Sequence, residues 1–294
     1  MSFQEYLAAE QQLIDRELER LVPSENVPPE TLHRAMRYSL FAGGKRIRPI
    51  LCLEAARAVA GSPAGIETAA CSLEMVHTYS LIHDDLPALD NDDYRRGKLT
   101  CHKKFGEAMA ILTGDALLTL AFLTLSALGL VDDERKTRMI AELATAAGTA
   151  GGMIGGQVAD LEGEGKKPTA ALLESIHRAK TGALLCASVR IGAIYAGARE
   201  FELDAISRFG EHVGLAFQIV DDILDIEQPT EALGKTAGKD AQQQKITFPA
   251  VYGLPESHQM AERERAAAHE ALAPFGARAD RLRELADLIV QRTS

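Results

Sequence analysis

The chain has no tryptophan, and its four cysteines include no Cys-x-x-Cys pair. Cys52, Cys71, Cys101 and Cys186 are scattered, so neither a disulfide framework nor a structural zinc site is expected, and a reducing, cytoplasmic setting fits. Positive charge is also short. The 32 Lys and Arg stand against 42 Asp and Glu, a net charge of −10. That deficit argues against broad binding to nucleic acid or to an anionic membrane surface. A phosphorylated ligand therefore needs a local basic site or bridging cations. Long apolar runs are missing too. The longest uncharged stretch, Ala116 to Val131, is shorter than the ~20 residues of a membrane span and includes Thr119, Thr124 and Ser126. It reads as a buried helix, and no membrane span is expected. Residues 1–6 lack a basic segment followed by an apolar one, so no signal peptide is expected. No segment shows sustained β-type alternation.

What remains is helical periodicity. Leu7, Leu13, Ile14, Leu18 and Leu21 recur through residues 3–21 with charges between them. Further helices are expected near 30–41, 49–61, 65–88, 105–130, 133–152, 169–197, 200–227, 245–254, 257–273 and 279–292. Gly, Pro, Asn and Asp mark the connections, as at Gly61-Ser62-Pro63 and Gly163 to Pro168. Abundant alanine favours helix. No repeat and no long linker is evident, so the expectation is one all-α domain, a bundle of roughly ten or more helices around a central cavity.

Two acidic clusters stand out against this apolar background. The first runs His83-Asp84-Asp85-Leu86-Pro87-Ala88-Leu89-Asp90-Asn91-Asp92-Asp93 and the second Asp221-Asp222-Ile223-Leu224-Asp225. Carboxylates set in apolar helix are costly unless paired, hydrogen-bonded or metal-bound. On a helix Asp221 and Asp225 lie within about 40° of each other, and Gln218 sits one turn before Asp222. Like charges that close favour a cation between them. In the first cluster Asp84 and Asp90 diverge by about 120° on a straight helix. Pro87 is expected to kink or end that helix and bring Asp90 back. An acidic pair of clusters of this kind suits Mg²⁺ shared with a phosphorylated substrate.

Basic motifs accompany the acids. They are Gly43-Gly44-Lys45-Arg46-Ile47-Arg48-Pro49 and Arg95-Arg96-Gly97-Lys98, with Lys180-Thr181 and Gly234-Lys235 to Lys239 as further candidates. Arginine suits bidentate phosphate contacts, and paired glycines let backbone approach a ligand. Either basic motif alone reads more simply as a solvated patch. His83, His102 and His177 form no metal-ligand or triad pattern, and His77 is not selected by spacing.

Together the segments 43–49, 77–90, 95–98, 114–118, 155–161, 180–184 and 217–225, in this order, resemble the trans-isoprenyl diphosphate synthase (polyprenyl synthetase) family over nearly the whole chain, most of all its bacterial-type farnesyl diphosphate synthases. The resemblance implies one polyprenyl synthetase domain over 1–294, the isoprenoid-synthase helical fold and a homodimer. It implies Mg²⁺, roughly three ions per active site with Mn²⁺ as a substitute, held by Asp84, Asp85, Asp90, Asp221 and Asp225. Asp222 stands nearby. Arg95, Lys180, Lys235 and Lys245 then assist at an allylic diphosphate. Gly44, Lys45, Arg48, His77 and Arg96 hold isopentenyl diphosphate, and Thr181 and Gln218 steady a carbocation. Gln291-Arg292 is similar to the family's basic tail, although Thr293-Ser294 departs from it.

Product length turns on Tyr79, roughly 7.5 Å down the helix from Asp84, with small Ser80 beside it. A bulky ring there closes the pocket and points to a C15 product, with C20 and C10 as alternatives. A terpene cyclase needs no isopentenyl site, so the 43–49 motif and Arg96 count against it. A non-catalytic subunit of such a synthase is disfavoured because both acidic clusters are complete.

Overall fold

The computed structural model describes residues 2–166, 168–227 and 246–292. The order is α1 (Phe3–Leu21), α2 (Glu30–Leu40), α3 (Ile47–Ala60), α4 (Ile66–Asp84), β1 (Tyr94–Arg95), β2 (Lys98–Leu99), α5 (Cys101–Phe105), α6 (Glu107–Ser126), α7 (Asp133–Ala147), α8 (Met153–Gly163) and α9 (Ala170–His177). A π-helical turn, Arg178–Gly182, leads into α10 (Ala183–Tyr195) and α11 (Glu200–Glu227). Then come α12 (Phe248–Tyr252), α13 (Leu254–Ala271), a 3₁₀ segment (Ala273–Ala279) and α14 (Asp280–Gln291). Among the described residues the only strands are the paired dipeptides β1 and β2, so the all-α expectation holds.

Contacts sort the chain into two compact units, residues 1–50 with 64–140 and residues 51–63 with 141–294. In the first unit α4 packs on α6, α1 and α2. Its buried residues, from Ala69 through Val76 and on to Ile82, surround the whole helix, as a central helix requires. One buried ion pair pins this unit. Arg46 Nη1 lies 2.7 Å from Glu74 Oε1, Nε lies 2.8 Å from Asp15 Oδ1, and Nη2 donates to Leu40 O at 2.7 Å. Removing one partner of such a pair costs roughly 3–5 kcal/mol, because the other charge stays buried. Arg46 of the 43–49 motif is therefore structural.

In the second unit α11 packs on α13, α10 and the π-turn. Two glycines one turn apart allow the approach. A Cβ on Gly210 would lie 2.9 Å from Cys186 Cα, and one on Gly214 would lie 2.8 Å from Gly182 Cα. Below them Leu215, Ile219, Val220, Ile223 and Leu224 form a core with Leu173, Ile246, Phe248 and Ala261.

Several boundaries differ from expectation. α4 stops at Asp84, short of residue 88, because the residue before Pro87 disfavours helix. The helix expected over 105–130 breaks at Gly106, whose φ of 87° suits glycine, into α5 and α6. α8 was not expected, since glycines crowd its start. Among the described residues α6 alone is long and apolar enough to cross a membrane by length and composition, although Glu107 and Asp115 lie on it. The expectation of no span rested on 116–131 alone. Within the first unit Leu117, Ala121 and Leu125 of α6 are fully buried.

Candidate active site

In the first unit the acidic cluster is built by backbone turns. Asp90 N donates to Asp84 O at 2.8 Å, and Asp92 N donates to Asp85 O at 3.2 Å. The chain after Pro87 thus folds back over the helix end, as expected of a proline at that place. Thr100 Oγ1 closes the loop on Asp92 O at 2.7 Å. Arg96 and Gly97 have φ of 52° and 73° and form the two-residue turn between β1 and β2. This hairpin aims Arg95 back at Asp85, with Nη2–Oδ1 at 2.6 Å and Nε–Oδ1 at 2.9 Å. Burial pushes the Asp85 carboxyl up, and the Arg95 guanidinium pulls it back.

The hairpin also joins the two basic motifs. Arg96 Nη1 donates to Gly43 O, and a Cβ on Gly44 would sit 2.6 Å from Arg96 Nη1. Gly44 also has φ of 143°, a backbone conformation that favours glycine. Lys45 is exposed beside it, with Gln11 donating to its carbonyl. Burial first, then Arg48, Arg96, Arg95 and Arg46, hold His77 well below the ordinary imidazole range. His77 is therefore neutral at pH 7 and sits among cations suited to an anionic ligand. Tyr79 is buried, its ring edge-on to His83 at 5.4 Å. Gly114 of α6 lies under His83, where a side chain has no room. Ser80 Oγ is turned onto His77 O at 2.8 Å.

In the second unit Lys180 and Thr181 lie on the π-turn, a geometry frequent at functional sites. Gly156 of α8 admits the Lys180 backbone, and Lys180 Nζ reaches Asp160 Oδ2 at 2.6 Å. Thr181 Oγ1 donates to Gln218 Oε1 at 2.8 Å, and Gln218 Nε2 donates to Asp222 Oδ1 at 2.9 Å. Phe248 N donates to Asp222 Oδ2 at 2.9 Å. Both Asp222 oxygens are thus engaged by protein donors. Asp221 instead meets Arg292 Nη2 at 2.6 Å, while that guanidinium lies 3.9 Å over the Phe217 ring and also donates to Phe217 O. Asp225 is 5% exposed, and its Oδ1 has no hydrogen-bond partner among the described residues. Lys235 and Lys245 lie outside the described residues.

The donor set fits Mg²⁺. Among the described residues no three His, Cys, Asp or Glu converge on one point. Mg²⁺ is commonly held by one or two carboxylates with substrate phosphates and water completing the shell, so spread carboxylates suit it. The buried Asp225 oxygen is an acceptor with no hydrogen-bond donor among the described residues.

The sequence profile of the family described as polyprenyl synthetase matches residues 29–286. The chain belongs to the polyprenyl synthetase family. A dimethylallyltranstransferase of Fischerella ambigua is 50% identical over 292 residues, 98% of this chain and 83% of that protein. A farnesyl diphosphate synthase of Geobacillus stearothermophilus is 50% identical over 259 residues, 86% of each chain. The crystal structure of a geranylgeranyl pyrophosphate synthetase from Pyrococcus horikoshii superposes with a TM-score of 0.89 at 31% identity, over 99% of this chain and 98% of that one. This polyprenyl synthetase has the all-α isoprenoid-synthase fold and is a prenyltransferase of isoprenoid biosynthesis. Its family uses Mg²⁺.

Three residues without an expected site role prove to touch the candidates. Asp160 lies in the 155–161 motif but carries no spacing signal of its own. Arg292, similar in sequence to the family's basic tail, binds Asp221 of the second acidic cluster. His177, passed over as patternless, lies 3.3 Å from Asp222. A lone histidine three residues before Lys180 has no meaning until α11 is folded against it.

Proposed function

We propose that this synthase makes farnesyl diphosphate, condensing isopentenyl diphosphate head-to-tail with dimethylallyl and then geranyl diphosphate. The observation that carries the C15 reading is Tyr79, a bulky buried ring five residues before Asp84. It serves as a floor for the growing chain. The residues 1–294 act as one catalytic domain.

Asp84, Asp85, Asp90, Asp221 and Asp225 would hold Mg²⁺, with Mn²⁺ an acceptable substitute. When bound, these ions supply charge neutralisation of the leaving diphosphate. Lys180 and Arg95, with Lys235 and Lys245, orient the same group. The allylic C–O bond breaks and diphosphate leaves with the electron pair. Thr181 and Gln218 present oxygen dipoles to the allylic cation. Lys45, Arg48, His77 and Arg96 hold the second diphosphate so that the isopentenyl double bond attacks that carbon. The new tertiary cation loses a proton to the released diphosphate, so no protein base is required.

An exposed apolar face on α6, with Ile111, Leu112 and Leu123 at 45%, 53% and 60% exposure, supports a homodimer. Light scattering on the purified protein tests that reading, and the cysteine usage supports a cytoplasmic location. The decisive experiment supplies Mg²⁺, labelled isopentenyl diphosphate and, separately, dimethylallyl, geranyl and farnesyl diphosphates. A C15 product from the first two, with farnesyl diphosphate left unextended, is expected. A C20 product overturns the Tyr79 floor and keeps the mechanism. No condensation with any primer overturns both.

A further inference from the structure

Four side chains of the second unit form a closed loop. Gln218 and Asp222 are four residues apart on α11, and His177 and Thr181 are four apart across the end of α9 and the π-turn. Thr181 donates to Gln218, Gln218 donates to Asp222, and His177 Nε2 lies 3.3 Å from Asp222 Oδ2. The chain of donors has one direction. An ionised carboxylate only accepts, so Gln218 must turn its NH₂ toward Asp222 and its oxygen toward Thr181. The Thr181 proton is thereby committed to Gln218, and the hydroxyl lone pairs are left for a cation.

Everything in this relay depends on how Asp222 is held. Its carboxylate is 3% exposed, and a buried anion requires compensating donors. Gln218 and the Phe248 backbone N–H supply two. The basic side chain against it is His177, 7% exposed, whose Nε2 is buried and makes no aligned hydrogen bond in this structure. The imidazole is clamped flat on the Phe248 ring, with centroids 5.3 Å apart and planes 18° apart. Phe248 thus fixes both neighbours of Asp222 Oδ2, the backbone donor and the histidine ring. At 3.3 Å the Nε2–Oδ2 separation is near hydrogen-bond reach, so alignment is what the contact lacks.

We propose that His177 is a positioning residue for prenyl transfer, acting through Asp222 to set the Gln218 amide and hence the Thr181 hydroxyl. This rests on the reading of Thr181 and Gln218 as the groups that face the carbocation. His177 touches neither substrate nor metal in this scheme. It acts on the barrier to ionisation and not on diphosphate affinity.

His177→Phe keeps the stacked ring and removes the nitrogen, whereas His177→Gln offers an amide N–H at similar reach. In His177→Phe, kcat is expected to fall about tenfold with KM for both diphosphates within about twofold, and His177→Gln is expected to recover most of kcat. In an Asp222→Asn background His177→Phe is expected to add no further loss. Unchanged kcat in His177→Phe, a matching rise in KM, or additive losses in the double variant would overturn the inference. Should His177→Phe fail to fold, His177→Met enters the same cycle and the same coupling decides. A second readout is independent of turnover. In ¹⁵N-histidine spectra, the His177 ring signals should shift in Asp222→Asn and stay in place in Asp225→Asn, and the absence of that contrast also overturns the proposal. A wild-type protein that condenses no substrate, yet shows the histidine shift, defeats the functional reading and leaves the His177–Asp222 coupling standing.

Discussion

The two acidic clusters are built in opposite ways. The second lies inside one uninterrupted 28-residue helix, where helical period alone sets Asp221, Asp222 and Asp225 on adjoining faces. The first lies where a helix has ended, and backbone hydrogen bonds from Asp90 to Asp84 and from Asp92 to Asp85 shape it. Each has one aspartate closed on an arginine at 2.6 Å, Asp85 on Arg95 and Asp221 on Arg292. They differ in what is left over. Asp85 is compensated by its arginine, whereas Asp225 keeps a buried oxygen with no hydrogen-bond partner among the described residues. A buried acceptor without a donor costs stability.

The strongest test separates function from stability. Asp85→Asn and Asp225→Asn are each expected to lower kcat by about 10²–10³. Calorimetry without Mg²⁺ should then divide them. Asp85→Asn leaves Arg95 without its anion and should lose about 1–3 kcal/mol, while Asp225→Asn should match or exceed the wild-type Tm. Equal losses would mean the clusters are compensated alike.

Packing beneath each cluster comes next. Gly114→Ala drives a methyl into His83, the residue before Asp84, and Gly214→Ala drives one into Gly182 of the π-turn. Each should cost about 1–3 kcal/mol in denaturant unfolding. Gly214→Ala should also lower kcat by parting Thr181 from Gln218. Tyr79→Ala leaves the acids intact and should lengthen the product, read by chromatography of the hydrolysed prenyl alcohols. An unchanged product profile would remove Tyr79 as the floor.

A smaller effect concerns the arginines. Arg292→Gln frees Asp221, and the Mg²⁺ concentration for half-maximal rate should fall about two- to fivefold. A rise would assign Arg292 to substrate instead. Smallest of all is the response to alkylation. Burial pushes the Cys186 thiol up to about 12, so the native enzyme should retain full activity after iodoacetamide near neutral pH. Rapid inactivation with the label mapped to Cys186 would show that the packing around α10 opens.

Much of this was legible in the chain. Period-3.6 patterning marked α1, α11 and most of the bundle, because each buries an apolar stripe that shows in the residue order. The aspartates, the glycine pair at 43–44 and the arginines at 95–96 were legible because their chemistry repeats within a few residues. α8 was not, since small residues at its start carry no amphipathic stripe and its Gly156 serves a contact with Lys180. Nor was the β1–β2 hairpin, a two-residue ladder too short to alternate.

By itself the sequence determined the helical class, the family and which residues carry the acids, because local periodicity and motif order are properties of the chain alone. Only the tertiary structure decided which charges meet. It gave Arg95 to Asp85 rather than to open solvent, Arg292 to Asp221, Asp160 to Lys180 and His177 to Asp222. Those pairings join residues from 10 to 71 positions apart. Side-chain reach is a few ångströms, so such contacts are set by how helices pack and turns close, and no spacing in the chain encodes them.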